Sequence, residues 1–560
     1  MSAGEGRVVG RGAAYGHAHN SSSSRELPLA WAFRRRLPSS IKALTKTLPS
    51  RDSVLLFAIL VVAAFLRFYR VGLDEFKGDE AWWCIEATRV LSTGRVPLLG
   101  QDIGGAEVDA YLGPLLTYLV ATVFLLFGAS AEAGTLVVTV LNLVTVFLVY
   151  KIGSRLSSAK AGLIAALLMS FSPWLVVYSR KLWPQSVLPF FSSIIILSFY
   201  NGIKSHRKIW FSVLGLSLGC LLQLHPTAYL VVPVLLIWAA GYRVKPTYVL
   251  TVILGAAVAF SPVLLHDLSN NLQNTRNLFV AISDPTVRGA SSFPSHLLEV
   301  FRLFYDLTGG TRLTDFYGDY PNSNLLDFLI IEPFLLLAFG AALLVRLARA
   351  RKRSQDPWRG EFLVLTWLTV PLLLHLVMRG SLWAHYFIVF FPMPFLASAI
   401  FLCDQLPHYL EQVLRGAQRF HLHSVIIVGV LSLVLIHHST VLYCFYSNVV
   451  TNDGWGEYGS ALENKRRAVE YVVQDSAQDA SNAIIDIAVI PREPYDFFLM
   501  IAPIRQHTES HQTVYYYIVE PLNGRLLDRR SHIIDSLERG GYLEKRTFGG
   551  VWVYKASLRV

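Results

Sequence analysis

Charged residues are scarce in this chain of 560 residues: Asp, Glu, Lys and Arg together make up 16% of it, while 53% of the residues are hydrophobic. A soluble domain needs more charge than this to cover its surface. The composition therefore excludes an ordinary soluble enzyme and indicates a polytopic membrane protein.

Cysteine is also scarce. The sequence contains no CxxC pair and no histidine at ligand spacing from a cysteine, which argues against both a zinc site and a disulfide framework. The four cysteines lie far apart, at Cys84, Cys220, Cys403 and Cys444.

The chain nevertheless carries a net charge of +11. Its Lys and Arg residues fall in short clusters between apolar runs, which is the pattern of cytoplasmic loops in membrane proteins. We therefore expect membrane lipids as partners and no nucleic acid.

The basic clusters also predict the topology, because they separate alternate pairs of apolar runs. Loops rich in Lys and Arg stay in the cytoplasm, so the N-terminus is predicted inside and the C-terminus outside the cell membrane. Residues 1–50, with a serine run and no apolar core, are predicted to be a disordered cytoplasmic tail. Eleven spans are predicted, at 54–69, 134–150, 161–178, 186–200, 209–224, 226–241, 247–266, 327–345, 361–378, 386–403 and 424–443.

One further apolar run, at residues 112–128, does not fit this alternation. If the first span leaves the cytoplasm and the span at 134–150 returns to it, no crossing remains for the run between them. We predict that residues 112–128 form a juxtamembrane helix along the outer face. The alternative is an ordinary span, with the basic cluster at 151–160 on the unexpected side.

This topology gives a first outer loop at 70–133, a large outer loop at 267–326 and an outer tail. We expect an all-α transmembrane domain at 51–446 and a small extracytoplasmic α/β domain at 447–560. The tail pattern predicts helices at 457–474 and near 531–539, strands at 483–490 and 513–519, and a closing hairpin.

The first outer loop contains KGDEAWW at 77–83, the beginning of a predicted amphipathic helix. Asp79 and Glu80 are candidate catalytic carboxylates, but neighbours on a helix point in different directions and do not aim at one atom. A carboxylate at a partly dehydrated membrane surface is a suitable general base, which favours Asp79. The alternative role of Asp79 is to cap the helix. Trp82 and Trp83 are expected to be interfacial anchors.

A second acidic group, Glu107 and Asp109, stands just before the juxtamembrane run. It can return towards Asp79 across the loop, and two carboxylates there would divide the work of activating an acceptor hydroxyl and positioning a donor. The pattern leaves open whether a divalent cation such as Mg²⁺ or Mn²⁺ takes part. It equally leaves open that the group is only a soluble loop edge.

Basic and aromatic residues at the outer ends of other spans complete the candidate site. Arg180 and Lys181 lie on the side where the positive-inside rule disfavours them, so they need an anionic partner such as a lipid phosphate. His225, Arg379 and His385 also stand at outer ends. Each alone is more simply a packed or snorkelling residue, but their shared position makes them candidate donor-phosphate ligands.

These residues resemble the GT-C type glycosyltransferases that use polyprenyl-phosphate sugars. This superfamily includes the protein O-mannosyltransferases of glycosyltransferase family 39 and the lipid A aminoarabinose transferases. The resemblance covers about residues 53–445. Its motifs are GDEAWWCIEA at 78–87, AYLGPLLTYL at 110–119, SPWLVVYSRKLWPQSVLPFF at 172–191, LGCLLQLHPTAYLVVPVLL at 218–236 and AHYFIVFFPMPFLASAI at 384–400.

The resemblance implies transfer of a sugar from a polyprenyl-phosphate donor to a lipid, glycan or protein acceptor. It implies that Asp79 is the base, that Glu107 or Asp109 is the second carboxylate, and that Arg180 and Lys181 hold the donor phosphate.

The sequence departs from the family pattern at two places. Trp183-Pro184-Gln185 stands where many members carry an Asp, so a third acidic ligand is not expected. Ala110-Tyr111 replaces a Pro-Pro pair, so the second carboxylate aligns with either acidic residue before it.

Two other functions remain as alternatives. A glycan ligase or polymerase that uses diphosphate-linked oligosaccharides would carry a large outer loop late in the chain. A lipid-linked sugar flippase or transporter would carry ionisable residues in mid-span and broken helices. In this chain the acidic residues gather at one rim, which favours the transferase.

Overall fold

The computed structural model describes most of the chain after the N-terminal tail. Glu107, Arg379 and nearly all of the predicted tail lie outside the described residues. Those described are 50–103, 109–283, 292–311, 313, 330–350, 360–378, 382–413, 418–452, 455–456, 459–478, 482–487, 491–502, 513–520, 539 and 544–558.

Helices make up most of the described chain, and a small sheet lies near its C-terminus, so the predicted fold class is confirmed in outline. The helices are α1 (Arg51–Phe68), α2 (Gly78–Thr93), α3 (Leu115–Phe127), α4 (Ala131–Leu156), α5 (Ala159–Phe171), α6 (Pro173–Tyr178), α7 (Leu188–Ser205), α8 (Lys208–Leu222), α9 (Val231–Gly241), α10 (Pro246–Ala259), α11 (Ser261–Ser269), α12 (Gln273–Ser283), α13 (Phe293–Gly309), α14 (Glu332–Ala350), α15 (Glu361–Val377), α16 (Met393–Ile400), α17 (Leu406–Val413), α18 (Gln418–Thr451), α19 (Leu462–Gln478) and α20 (Glu493–Ile501). The strands are β1 (Trp455–Gly456), β2 (Gly459–Ser460), β3 (Asn482–Ile487), β4 (Thr513–Val519), β5 (Glu544–Phe548) and β6 (Val551–Leu558).

Each predicted span contains one or more of these helices, but several spans are interrupted. The chain bends by 73° between α10 and α11, and by 54° between the 3₁₀ turn Ala384–Phe390 and the helix after it. Both bends occur beside a proline, which lacks the N–H that a continuous helix requires. Within the described residues, three helices are long and apolar enough to cross a membrane, or five if each bent pair is one span. The count of eleven spans stays a prediction.

The run predicted to lie along the outer face contains α3. This helix has 13 residues, so it is about 20 Å long and shorter than a ~30 Å hydrocarbon core. Leu116 and Phe124 are buried, whereas Leu125, Leu126 and Phe127 are 73%, 68% and 70% exposed. Helix α5, which lies in a predicted span, also has 13 residues, so the length does not distinguish the two alternatives, and the juxtamembrane position of α3 stays a prediction.

The C-terminal region forms a four-stranded sheet in the order β3-β4-β6-β5. Strands β3 and β4 are parallel, β4 and β6 are antiparallel, and β5 and β6 form a hairpin. The predicted strand at 513–519 and the closing hairpin are confirmed, while the helix near 531–539 falls almost entirely outside the described residues. We call the described residues between 459 and 558, which include α19, α20 and this sheet, the C-terminal layer.

The C-terminal layer belongs to the same compact unit as the helices before it, Leu55–Val560. Helix α18 continues through residue 446 to Thr451, and α20 packs against α2. The division into domains at 446 and 447 stays a prediction. What matters for the site is that the first outer loop and the C-terminal layer are in direct contact.

Candidate active site

The loop between α1 and α2 is the centre of the site. A 3₁₀ turn at Val71–Leu73 is followed by Asp74 and Glu75, and α2 begins at Gly78. Both carboxylates are only 2% exposed. Because a buried carboxylate without a partner is costly, each requires a cation nearby.

Asp74 pairs with Arg180. The Nε of Arg180 lies 2.6 Å from Oδ2 of Asp74, and the guanidinium also donates to the backbone oxygen of Arg70 at 2.8 Å. It lies 4.6 Å above the ring of Tyr446, whose hydroxyl donates to Oδ1 of Asp74 at 3.2 Å. Burial raises the pKa of Asp74, and the charges of Arg180 and Lys181 oppose this rise. The anionic partner that Arg180 needs is therefore a carboxylate of its own chain.

Glu75 is shared by two lysines. Its Oε2 lies 2.6 Å from Nζ of Lys181 and 3.1 Å from Nζ of Lys77. The two ammonium groups lie over the Trp183 ring, at 5.1 Å for Lys181 and 4.9 Å for Lys77. Burial lowers the pKa of Lys77 to about 8, although the charge of Glu75 favours the protonated form. Glu75 is thus shared by two ammonium groups, and Glu80 is a further carboxyl of the same cluster.

Asp79 and Glu80 point in different directions at the start of α2. Glu80 is 2% exposed, and its Oε2 accepts a hydrogen bond of 2.7 Å from the backbone N–H of Lys77, the N-cap residue. Burial raises the pKa of Glu80 to about 7. Asp79 is exposed, and its Oδ1 accepts a hydrogen bond of 2.7 Å from Nε2 of Gln101. The alternative in which Asp79 is the N-cap is wrong, because Lys77 occupies that position and Asp79 lies within the first turn of α2.

Asp109 lies at the start of a segment that pairs with the residues around Gln101. The N–H of Leu112 donates to the backbone oxygen of Gln101 at 2.8 Å. The segment after Asp109 is thereby tied to the residue that contacts Asp79. The Asp109 side chain is exposed. Because Glu107 lies outside the described residues, the choice between Glu107 and Asp109 stays open.

The residues after Asp109 are held on their other side by α8 and α12. Asn274 accepts a hydrogen bond from the N–H of Tyr111 at 2.8 Å and donates to its backbone oxygen at 3.1 Å. The N–H of Gly113 donates to the backbone oxygen of Gln223 at 2.9 Å, and any Cβ at Gly113 would overlap the Gln223 side chain. Tyr111 and Gly113 line a crevice together with His225.

Aromatic rings connect the lysines to this crevice. The Trp183 ring meets His385 edge-on at 5.9 Å between centroids. His225 lies 5.7 Å from His385 and 5.4 Å from Tyr386. The Nδ1 of His225 also bonds the Thr227 hydroxyl at 2.9 Å, so this histidine caps a 3₁₀ turn as well. The structure therefore brings both predicted histidines to one wall beside the lysines.

One sequence prediction is wrong, and another stays open. Trp83 is not an interfacial anchor, because its side chain is 0% exposed and packs inside the protein, while Trp82 is half-buried. Within the described residues, no group of three or more His, Cys, Asp and Glu side chains is arranged to hold a metal ion. The question of a divalent cation stays open.

Sequence reasoning did not single out Asp74 and Glu75, or the role of Lys77. A signal for the first two was present. Arg180 and Lys181 were identified as cations in need of an anion, and Asp74-Glu75 is the consecutive acidic pair nearest the end of the first span.

Comparisons with known proteins give a partial family match and a likeness in fold. Residues 112–266 match the family model of dolichyl-phosphate-mannose-protein mannosyltransferases, while no curated protein sequence matches significantly. The structure is similar to ArnT from Cupriavidus metallidurans in the apo state (13% identity, TM-score 0.55) and bound to undecaprenyl phosphate (12%, 0.52). Each match covers 90% of this chain and 97% of ArnT. The chain therefore shares the fold of ArnT.

A third similar structure is the oligosaccharyltransferase of Archaeoglobus fulgidus, with 14% identity and a TM-score of 0.45. That match covers 82% of this chain and 61% of the archaeal chain, so the present chain spans less than two thirds of that protein. The likeness to ArnT implies a polytopic membrane fold. The family match includes Arg180, Lys181 and His225, and it begins after the loop that carries Asp79.

Proposed function

We propose that this chain is a glycosyltransferase that moves a sugar from a polyprenyl-phosphate donor to an acceptor hydroxyl on the extracytoplasmic face. The observation that carries the proposal is the position of Asp79, an exposed carboxylate two residues along the chain from Lys77, which is one of the three cations of the buried cluster. The matched mannosyltransferase family, and ArnT solved with undecaprenyl phosphate, support a lipid-phosphate donor.

In the proposed reaction Asp79 removes the proton from the acceptor hydroxyl. The acceptor oxygen attacks the anomeric carbon of the sugar as the bond from that carbon to the phosphate oxygen breaks. The bonding electrons leave with the phosphate, and in-line displacement inverts the anomeric centre. Asp79 is exposed, so an acceptor can reach it, and its hydrogen bond from Gln101 fixes its direction.

The departing phosphate needs positive charge that does not require rearrangement. Lys77, Arg180 and Lys181 supply three cations, opposed by Asp74 and Glu75 and by a Glu80 carboxyl that is only partly ionised near neutral pH, since its pKa is about 7. Arg180 and Lys181 are 4% and 0% exposed, whereas Lys77 retains 8% exposure. We assign the contact with phosphate to Lys77, and to Arg180 and Lys181 the role of holding the loop. His225 and His385 line the same side.

Asp79→Asn tests the base. The substitution keeps the size of the side chain and an oxygen that can accept from Gln101, but it removes the basic carboxylate. We expect loss of about 10²–10⁴-fold in transfer. The measurement compares glycan and lipid mass spectra of cells with no protein, with the wild-type chain and with the variant at equal abundance. Full product formation by the variant would remove the assignment of Asp79.

Glu86→Gln is the matched control for that experiment. Glu86 lies on the same helix, seven positions later, and pairs with Arg89. We expect product formation at the wild-type level. An equal loss in both variants would mean that α2 is sensitive to any change of charge, and would leave Asp79 without a specific role.

The same assay tests for a divalent cation. Asp79 and Asp109 are the exposed carboxylates that would hold one, and it would supply additional charge stabilisation at the phosphate. Removal of the cation by a chelator from membranes, followed by addition of Mg²⁺ or Mn²⁺, decides whether activity depends on it.

The proposed orientation has its own test. A single cysteine placed at residues 129–133 is expected to react with an impermeant reagent from outside, and one placed at 156–159 is not. Reversed labelling would make α3 a membrane span and would move the site to the other face.

A further inference from the structure

The C-terminal layer makes backbone contacts with the loop that carries the site. Glu75 pairs with Ala461 as in an antiparallel sheet, and the N–H of Leu462 donates to the backbone oxygen of Asp74 at 2.9 Å. The ammonium of Lys465 donates to the backbone oxygen of Phe76, also at 2.9 Å. Three successive loop residues are therefore held from the other end of the chain.

Lys465 is itself fixed by the sheet. It is 1% exposed, and its Nζ lies 3.3 Å from Oε1 of Glu520, the residue that follows β4. Glu520 is also 1% exposed, and it accepts hydrogen bonds from the Tyr495 hydroxyl and from the N–H of Ser460, the latter at 2.8 Å. A buried and fully paired lysine of this kind transmits the position of the sheet to the Phe76 carbonyl.

Side chains reinforce the same contact. The Phe76 ring lies 6.0 Å from the Phe497 ring and 5.5 Å from the Phe498 ring of α20. At the start of α2, a Cβ added at Gly78 would lie 2.9 Å from Cβ of Pro491. Since Gly78 directly precedes Asp79, the C-terminal layer reaches the residue next to the proposed base.

We infer that Lys465 is a positioning residue for transfer, and that the C-terminal layer sets the place of Glu75, Lys77 and Asp79. The Phe76 carbonyl lies between the carboxylate that holds both lysines and the lysine assigned to the phosphate. A displacement of about 1 Å at such a point can cost about 100-fold in rate. This inference rests on the proposed function for its effect on activity, but not for its effect on the loop.

The test uses the full-length protein with Lys465→Met and Glu520→Gln combined, because the single change would leave Glu520 buried without its cation. The matched control is Lys555→Met with Asp475→Asn. It removes another ion pair of the same layer, 2.6 Å between Nζ and Oδ2, and Asp475→Asn keeps an oxygen that can accept from the Tyr516 hydroxyl. Amide hydrogen exchange of residues 70–80 and product formation in cells are measured for both.

We expect exchange of residues 70–80 to rise at least about tenfold, and product formation to fall about 100-fold, in the Lys465/Glu520 variant alone. Unchanged exchange in that variant, or the same rise in the control, would overturn the inference. If Asp79 is not the base, the exchange measurement still decides whether the layer holds the loop, so the two proposals fail separately.

A crosslink guards against simple misfolding of the variant. An ideal Cβ at Gly72 lies 3.2 Å from Cβ of Glu463, slightly less than the Cβ–Cβ distance of about 3.5–4.5 Å in a disulfide. Gly72→Cys combined with Glu463→Cys can therefore join the loop to α19. In the Lys465/Glu520 variant that also carries the two cysteines, we expect oxidation to raise product formation at least about tenfold over the reduced protein. Reduction of the disulfide should abolish this gain. No recovery on formation of the crosslink would contradict a positioning role.

Discussion

Asp74 and Asp79 lie in the same loop, yet their surroundings are opposite. Asp74 is 2% exposed and pairs with Arg180, whereas Asp79 is exposed and receives a hydrogen bond from Gln101. Desolvation makes a buried pair costly to break, while an exposed carboxylate keeps its access to a second reactant. The difference separates the groups that hold the loop from the group that faces the acceptor, and it predicts that stability and activity respond to different substitutions.

The largest expected effect on stability comes from Asp74→Asn. It leaves the buried Arg180 without its carboxylate, so we expect the free energy of unfolding to fall by about 3–5 kcal/mol. Asp79→Asn, an exposed change, should alter it by no more than about 0.5 kcal/mol. Thermal unfolding of both variants in the same detergent measures the difference. Equal stability of the two would mean that burial does not distinguish these carboxylates.

A second difference concerns pH and activity at Lys77. Its pKa of about 8 means that the cation is lost as the pH rises through that value. If Lys77 stabilises the departing phosphate, transfer should fall about tenfold per pH unit above pH 8. Lys77→Arg stays charged, so the decline should move to higher pH. Initial rates of transfer are measured in membranes between pH 6 and 10 for the wild-type protein and for Lys77→Arg. The same decline at high pH in both would exclude Lys77 as its source.

Glu80 provides the corresponding test for stability. Its pKa is about 7 in the folded protein and about 4.5 in the unfolded chain, so the folded state binds more protons between these values. Stability contributed by this group is therefore complete at low pH and declines as the pH rises from about 4.5 to about 7. Glu80→Gln keeps an acceptor for the Lys77 N–H and should remove this decline, which amounts to about 3 kcal/mol at pH 8. Unfolding temperatures of the wild-type protein and the variant are measured across that pH range. An equal decline of the unfolding temperature with pH in the variant would contradict the assignment.

The same contrast explains what the sequence could predict. Apolar runs and basic clusters predicted the helices, because both follow from local composition, and the strand Thr513–Val519 followed from its β-branched and aromatic residues. The rim position of Arg180 and Lys181 predicted that they need an anion. The identity of that anion depends on tertiary contacts between residues more than 100 positions apart, which one sequence does not encode visibly.

Trp83 shows the same limit. A tryptophan pair beside an apolar segment is typical of a membrane interface. Trp83 is nevertheless fully buried, and the backbone at Gly100 packs directly against its ring. The backbone contact of Asp74 with Leu462 likewise joins two segments that are far apart in the sequence. Local patterns therefore predicted the elements and the rim, and long-range packing decided which charged groups are buried.

The smallest expected effect belongs to an exposed ion pair of the C-terminal layer. Arg492 and Asp496 meet through two hydrogen bonds of 2.9 Å, close in length to the 2.6 Å contact of Asp74 with Arg180, but their side chains are 63% and 36% exposed. Solvent screens such a pair, so Arg492→Gln should cost no more than about 0.5 kcal/mol in the free energy of unfolding, and less in high salt. Thermal unfolding in low and high salt checks this. A loss as large as that of Asp74→Asn would show that contact geometry, and not burial, sets the strength of the pairs that hold the loop.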